Sequence, residues 1–330
     1  MKIAITGGAG FIGSYLTNAY LDAGHDVIVI DSLAYGVQQT IDPRARFYQI
    51  DIRDAKLRTI LQLERPDLVS HHVRQQQSLP GEQALIDADV HVRGLLNVLN
   101  SCVNASVKRI IFASGGNSMY TQSAYEQTPL TEEMPVSPRS AYDISKAAGE
   151  WYVRYYTQQY GLKHTILRYA DVYGEPGRTR FLHPVCYFIT MLLEGRRPII
   201  RGTGKEVRDH IFIDDIVRAN LKVVSGAEDL TLHISSGQGS STNQLYRIVA
   251  QMVGSEIEPI YLSGSLAEQD AVVLDNTRAR QVLGWHPEIS LTEGIQQTVK
   301  RIRERREEFM TKDAPVPAAT REANSLFLTR

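Results

Sequence analysis

Residues 2–31 run KIAITGGAGFIGSYLTNAYLDAGHDVIVID, and no other stretch restricts the possible fold as much. Ile3, Ala4 and Ile5 make a short apolar strand; Gly7, Gly10 and Gly13 follow with GxxGxxG spacing, and a helical stretch leads to a second apolar run, Val27 to Ile30. The missing side chains let the turn tighten and let helix and strand pack closely. They also let a pyrophosphate approach bare backbone N–H groups at the helix start, where Phe11 and Ile12 sit. Asp31 ends the second run about 20 residues beyond the turn, where a carboxylate accepts hydrogen bonds from both hydroxyls of an adenosine ribose. The same carboxylate would repel a 2′-phosphate, so the pattern favours NAD over NADP. Glycine triplets are common in loops; strand, turn, helix, strand and acid in register specify a dinucleotide site.

The rhythm continues. β-rich runs at 47–50, 68–70, 109–113 and 165–167 alternate with helical patterns, the longest near 82–102 and 141–160. Such alternation predicts a doubly wound α/β fold, a parallel sheet with helices on both faces. After about residue 172 the pattern gives way to Gly- and Pro-containing loops, a helix near 184–194 and shorter pieces. We expect a Rossmann-type NAD-binding domain over 1–172, to which some later segments return, and a smaller C-terminal substrate-binding lobe over 173–309. The segment 297–309 reads as a charged, solvated helix, and the tail over 310–330 has too few spaced apolar residues for a core of its own, so disorder is expected there.

Composition narrows the partners. With 36 Lys and Arg against 37 Asp and Glu there is no basic field to hold nucleic acid or an anionic membrane, so an anionic ligand must be met by local groups. Cys102 and Cys186 show neither CxxC spacing nor neighbouring histidines, which indicates no disulfide framework and no metal site. The chain enters its first strand without a signal-like segment and has no apolar run of about 18 residues, so a cytoplasmic protein is expected.

Tyr142 and Lys146 stand four apart at the start of the helix that follows Pro138-Arg139-Ser140-Ala141, so their side chains project from one face. A neighbouring ammonium lowers a phenol's pKa, and a tyrosinate can take the proton from a sugar hydroxyl while hydride leaves the same carbon. The spacing alone is weak, but the surrounding residues are specific. TGGAGFIG and YDISK are accompanied by Asp51-Ile52-Arg53-Asp54, LRYADVYG at 167–174, RDHIFIDDI at 208–216 and LGWHPEISLTEGI at 283–295. In this ordered series the chain resembles the extended short-chain dehydrogenase/reductase family, particularly its NAD-dependent sugar-nucleotide epimerases and dehydratases, over about residues 2–300. The resemblance implies that Asp51 and Ile52 lie near the adenine, that Tyr142 is the base, that Lys146 also binds the nicotinamide ribose, and that Arg208 meets a substrate diphosphate. It further implies a homodimer formed through the helices near 82–103 and 141–160.

Four departures fall in or beside the expected site. Where many members read HLAAQ, this chain has His72-Val73-Arg74-Gln75-Gln76, and an expected asparagine is His91. One hydroxyl of a Ser/Thr pair is gone at Gly115, leaving Ser114 and nearby Ser118 to bond the reacting sugar oxygen. Asp171 stands in RYADVYG where an asparagine would donate to a phosphate; Arg178 and Arg180 are close enough in sequence to neutralise it. The family's 4,6-dehydratases use a Thr-Asp-Glu triplet, which does not occur here. The leading reading is therefore an NAD-dependent nucleotide-sugar epimerase working at C4 through a transient ketone. The alternatives are a uronate decarboxylase with Arg74 or Arg178 holding the carboxylate, a dehydrogenase of a small hydroxy compound, and an NAD-binding homologue altered in catalysis.

Overall fold

Alternate strand residues feed two different cores. In β1 (Lys2–Thr6), Ile3 and Ile5 belong to one buried cluster and Ala4 to another; in β2 (Asp26–Asp31), Val27 and Val29 join the first, Ile28 and Ile30 the second. Side chains alternate across a strand, so a sheet covered on both faces needs apolar residues at consecutive positions. This is why both strands read as unbroken apolar runs. The computed structural model describes residues 1–75, 83–120, 129–175, 183–263 and 271–311, with side chains described as far as residue 304.

Five further strands complete a parallel sheet: β3 (Arg46–Gln49), β4 (Leu68–His71), β5 (Arg109–Gly115), β6 (Lys163–Tyr169) and β10 (Leu230–Ile234), in the order β10-β6-β5-β4-β1-β2-β3. Leu16 and Tyr20 of α1 (Phe11–Asp22) and Ile216, Ala219 and Val223 of α7 (Ile213–Val224) cover one face. The other is covered by α2 (Lys56–Glu64), α4 (Leu95–Asn104) and α5 (Ala141–Tyr160) through Leu57, Leu61, Val98, Leu99 and Val153. This is the doubly wound arrangement expected. A π-helical segment, Asp89–Gly94, runs between α3 (Gln83–Ala88) and α4 without leaving helical geometry.

The strand order turns back between β1 and β4, and such a switch point is where doubly wound folds bind ligands, in the crevice outside the carboxyl ends of the strands. A second, smaller sheet stands beyond it. Its centre is β9 (Val207–Phe212), flanked by β11 (Gly239–Ser241) and β13 (Ala271–Val272) and paired with β7 (Asp171–Tyr173); β8 (Ile199–Arg201) pairs with β12 (Ile260–Leu262). The rest of this part is helical: α6 (Pro184–Leu193), α8 (Thr242–Val253), α9 (Thr277–Leu283) and α10 (Leu291–Thr311). So β10 returns to the main sheet, and the charged segment at 297–309 is part of a longer helix. Residues 312–330 lie outside those described. Among the described residues no helix is long and apolar enough to cross a membrane, and no group of His, Cys, Asp or Glu could hold a metal ion.

Candidate active site

The glycine turn is built against the segment that follows β4. Gly7 has φ +78°, and a Cβ there would come within 2.9 Å of the backbone of His72 and Val73. A Cβ on Gly13 would stand 2.1 Å from the Gly7 carbonyl oxygen, an impossible contact. Helix α1 opens at Gly10, which supplies no side-chain cap, so the first N–H groups, including those of Phe11, Ile12 and Gly13, face the crevice as a ready anion site. Asp31 is buried at the end of β2 and accepts N–H bonds from Ala9 at 3.0 Å and Leu33 at 2.8 Å, one on each carboxylate oxygen. Burial raises its pKa against these two bonds, and each oxygen keeps a lone pair for a ribose hydroxyl. This donor and acceptor set fits NAD. Gly13→Ala is expected to cost about 1–3 kcal/mol of stability, because main chain rather than a flexible side chain must yield, and to weaken NAD binding strongly. Thermal melts with and without added NAD check both, and an unaltered NAD-induced stabilisation in this variant would contradict the assignment.

Asp51 and Ile52 follow β3. Ile52 is buried, and its carbonyl accepts from Asn97 Nδ2 at 2.7 Å. Asp51 is held by Arg53 through bonds of 2.9 and 2.7 Å, and Arg53 also reaches Asp89; the guanidinium lowers the Asp51 pKa. Thus Asp51 is fixed in place by a neighbour in its own loop.

Ser140 caps α5, its hydroxyl accepting the Asp143 N–H at 3.1 Å, and the helix begins with Tyr142 and Lys146 on the face turned to the crevice. Lys146 is 2% exposed. Its Nζ donates to the carbonyls of Val73 at 3.2 Å and Ala113 at 3.0 Å, so the pair and the glycine turn meet at the same segment, His72-Val73. Burial, with help from Arg74, lowers the Lys146 pKa to about 7. Burial raises that of Tyr142, and the cation that opposes this most is Arg74. Lys146 Nζ stands 5.8 Å from the Tyr142 ring centroid while it donates to two backbone oxygens.

The serines diverge. Ser114 is buried and donates to Glu150 at 2.7 Å; Glu150 is gripped at both oxygens by Arg168 at 2.9 and 2.7 Å. Ser118 is exposed, and its hydroxyl lies 3.1 Å from where a Cβ of Gly115 would stand. Beside it is Asp143, a residue sequence reasoning passed over, whose pKa burial raises against the Ser118 and Ser140 hydroxyls. The space vacated at Gly115 is thus faced by Ser118 and Asp143. His91, on the π-helical segment, is buried and packs edge-on to Tyr142 with ring centroids 5.0 Å apart. Its Nε2 accepts the Gln75 N–H at 3.2 Å, while burial, Lys146 and Arg74 lower its pKa to about 2. His91 thus packs on Tyr142 with Nε2 engaged and Nδ1 buried without a partner among the described residues, and Gln75 bridges onward to Tyr35 at 2.7 Å.

On the small sheet, β7 runs beside β9 with Asp171 opposite His210, and Arg208 lies two residues before His210 on the same face. The Arg208 Nη1 donates to the Val207 carbonyl at 3.0 Å. His210 lies within hydrogen-bond distance of His183, Nδ1 to Nε2 3.3 Å; His210 stands inside RDHIFIDDI, where the sequence assigns it no role, and nothing in the sequence marks His183. Burial lowers the His210 pKa, with Asp171 opposing and Arg208 adding to the effect. Arg178 and Arg180 lie outside the described residues.

The comparisons with known proteins agree with this geometry. The model of the NAD dependent epimerase/dehydratase family matches residues 3–232. The putative UDP-glucose 4-epimerase of Methanocaldococcus jannaschii is 35% identical over 301 residues, covering 90% of this chain and 97% of that protein. Among solved structures, the UDP-glucose 4-epimerase of Thermotoga maritima with UDP-glucose superposes with a TM-score of 0.88 at 34% identity, covering 92% of this chain and 99% of that one. That of Thermus thermophilus in complex with NAD gives 0.85 at 30% identity, with 92% and 99% covered. A family model spanning most of the chain, and relatives matched nearly end to end, coincide with a glycine turn, an Asp31 and a Tyr142–Lys146 pair set around one crevice: the chain belongs to the NAD dependent epimerase/dehydratase family.

Proposed function

We propose that this chain inverts the configuration of a nucleotide sugar at C4 and regenerates its NAD within each turnover. The observation that carries the reading is the convergence on His72-Val73, which abuts the glycine turn on one side and receives Lys146 on the other, with Tyr142 one helical turn before Lys146. The names of its relatives and their bound UDP-glucose and NAD support the substrate class and the cofactor. The glycine turn and Asp31 would hold NAD, which would supply reversible hydride transfer at the sugar carbon.

The protein's own residues do the rest. Tyr142 takes the hydroxyl proton and gives it back after the ketone has turned. Lys146 uses two of its three N–H groups on carbonyls and keeps the third for the nicotinamide ribose. The Ser118 hydroxyl, rather than the engaged Ser114, hydrogen-bonds the reacting oxygen. Arg208 forks onto the diphosphate, with Asp171 kept compatible by its neighbours His210 and Arg208. The absent Thr-Asp-Glu triplet speaks against dehydration. Incubation with UDP-galactose, followed by NMR of the product, tests the reading: UDP-glucose without accumulation of NADH is expected, whereas carbon dioxide release or stoichiometric NADH would select decarboxylation or dehydrogenation. A cytoplasmic location suits a chain whose two cysteines are free and buried.

The same reading includes a homodimer. Ile144, Trp151, Tyr152 and Tyr155 form one exposed stripe along α5, and Leu85 of α3, which packs beside it, is also exposed. A run of aromatic side chains in water, with Trp151 at 69% exposure, suits the helix-to-helix seam of a second copy. Trp151→Glu with Tyr155→Glu is expected to convert a dimer into a monomer by light scattering. A dimer that survives both substitutions would place the contact elsewhere.

A further inference from the structure

Three groups bracket the Tyr142 ring. The Arg74 guanidinium carbon is 5.4 Å from the ring centroid, Lys146 Nζ is 5.8 Å away, and His91 meets the ring edge-on at 5.0 Å. They differ in what they can offer the phenol. His91 has its Nε2 taken by the Gln75 N–H. Lys146 donates to two carbonyls and lies 4.9 Å from the Phe112 ring centroid, and burial lowers its pKa. Arg74, by contrast, presents a planar guanidinium from an exposed position. The nearby carboxylate of Asp143 also feels its charge. The remaining charged groups around the ring, Asp87 on α3 and Asp143 on α5, both disfavour a tyrosinate.

We propose that Arg74, standing where the resembled family carries alanine, supplies a second positive charge, beside that of Lys146, that stabilises Tyr142 as the tyrosinate. Arg74 is then a positioning residue, acting through the phenol rather than on the sugar. This inference rests on Tyr142 being the base.

Two readouts test it: the kcat–pH profile, and the ultraviolet titration of tyrosinate in the purified protein, with Tyr142 isolated as the difference from Tyr142→Phe. In Arg74→Gln the Tyr142 titration and the acid limb of the profile are both expected to rise by about one pH unit, as expected for loss of one partly solvated charge at this range. Turnover below the limb then falls roughly ten-fold, while KM changes less than about two-fold. Arg74→Lys, which keeps a charge at an exposed position, restores most of both. If Arg74→Gln moves neither titration nor pH profile and raises only KM, Arg74 is a substrate ligand and the inference fails. An active Tyr142→Phe protein would overturn the base itself; an inactive one beside an unmoved Arg74→Gln profile overturns this inference alone.

Discussion

Tyr142→Phe is expected to lower kcat by about 10²–10⁴-fold, the usual contribution of a positioned proton-transfer group. The ring is what packs: it meets His91 edge-on and lies beneath Arg74, and both contacts survive loss of the hydroxyl. Fold, NAD binding and KM should therefore change little, and the loss should appear in kcat and kcat/KM alike, as for an interaction used only in the transition state. Burial raises the phenol's pKa, so activity in the parent protein should rise with pH as the tyrosinate forms, and this limb should vanish in the variant. Steady-state kinetics across pH check the prediction; a variant retaining more than about a tenth of parental kcat would remove Tyr142 from the mechanism.

Glu150→Ala carries the largest expected effect on stability. Glu150 is 2% exposed and Arg168 5%, and the carboxylate is the acceptor for Arg168, Ser114 and Arg154 together. Arg168 reaches on to the Tyr120 hydroxyl at 2.5 Å, which in turn lies 2.8 Å from His233. Removing the carboxylate strands a buried guanidinium, at a cost of about 3–5 kcal/mol. It also frees Ser114, loosening the end of β5 that leads to the site. Burial acts to raise the Glu150 pKa, but Arg168 outweighs it and the net position is below the ordinary 4.5. A carboxyl depressed on folding contributes stability that is complete above its unfolded value and fades as pH falls through its folded one. Denaturant unfolding should thus show a parent protein losing stability below pH 4.5, with Glu150→Ala weaker at neutral pH and less sensitive in that acid range. A melting curve close to the parent's would show that the network is not holding the domain.

The nucleotide-binding half was legible because its determinants are local. Glycines at fixed spacing, a strand on each side and an acid at the strand end all act within residues 2–31, and the described turn uses each of them. Helix α5 spans 141–160 as read, since Ser140 caps one end and Gly161, in the left-handed conformation, closes the other. The two small sheets were not legible: β7, β8, β11 and β12 have three residues each, too few for alternation to register. The π-helical segment was hidden for the opposite reason, because helical periodicity continues through it.

In the site, a four-residue spacing placed Tyr142 and Lys146 together, but no spacing tells where a lysine tip goes. Its partners are carbonyls of residues 73 and 113, brought in from β4 and β5 by the sheet. The same holds for Arg74 against Tyr142 and for the pairing of His183 with His210, which depend on packing between distant elements. Departures from the family pattern at 74, 91, 115 and 171 could be noticed in the sequence; that three of them surround Tyr142 and Asp143 is a property of the folded chain.

The central claim is that hydrogen leaves C4 of a nucleotide sugar and comes back to the same carbon within one turnover. UDP-galactose carrying deuterium at C4 tests it in one reaction with the purified protein and unlabelled NAD. The account predicts UDP-glucose that retains the deuterium at C4, with no label accumulating in free reduced cofactor. Inverted product that has lost its label to solvent, or label released in stoichiometric NADH without inversion, would contradict it.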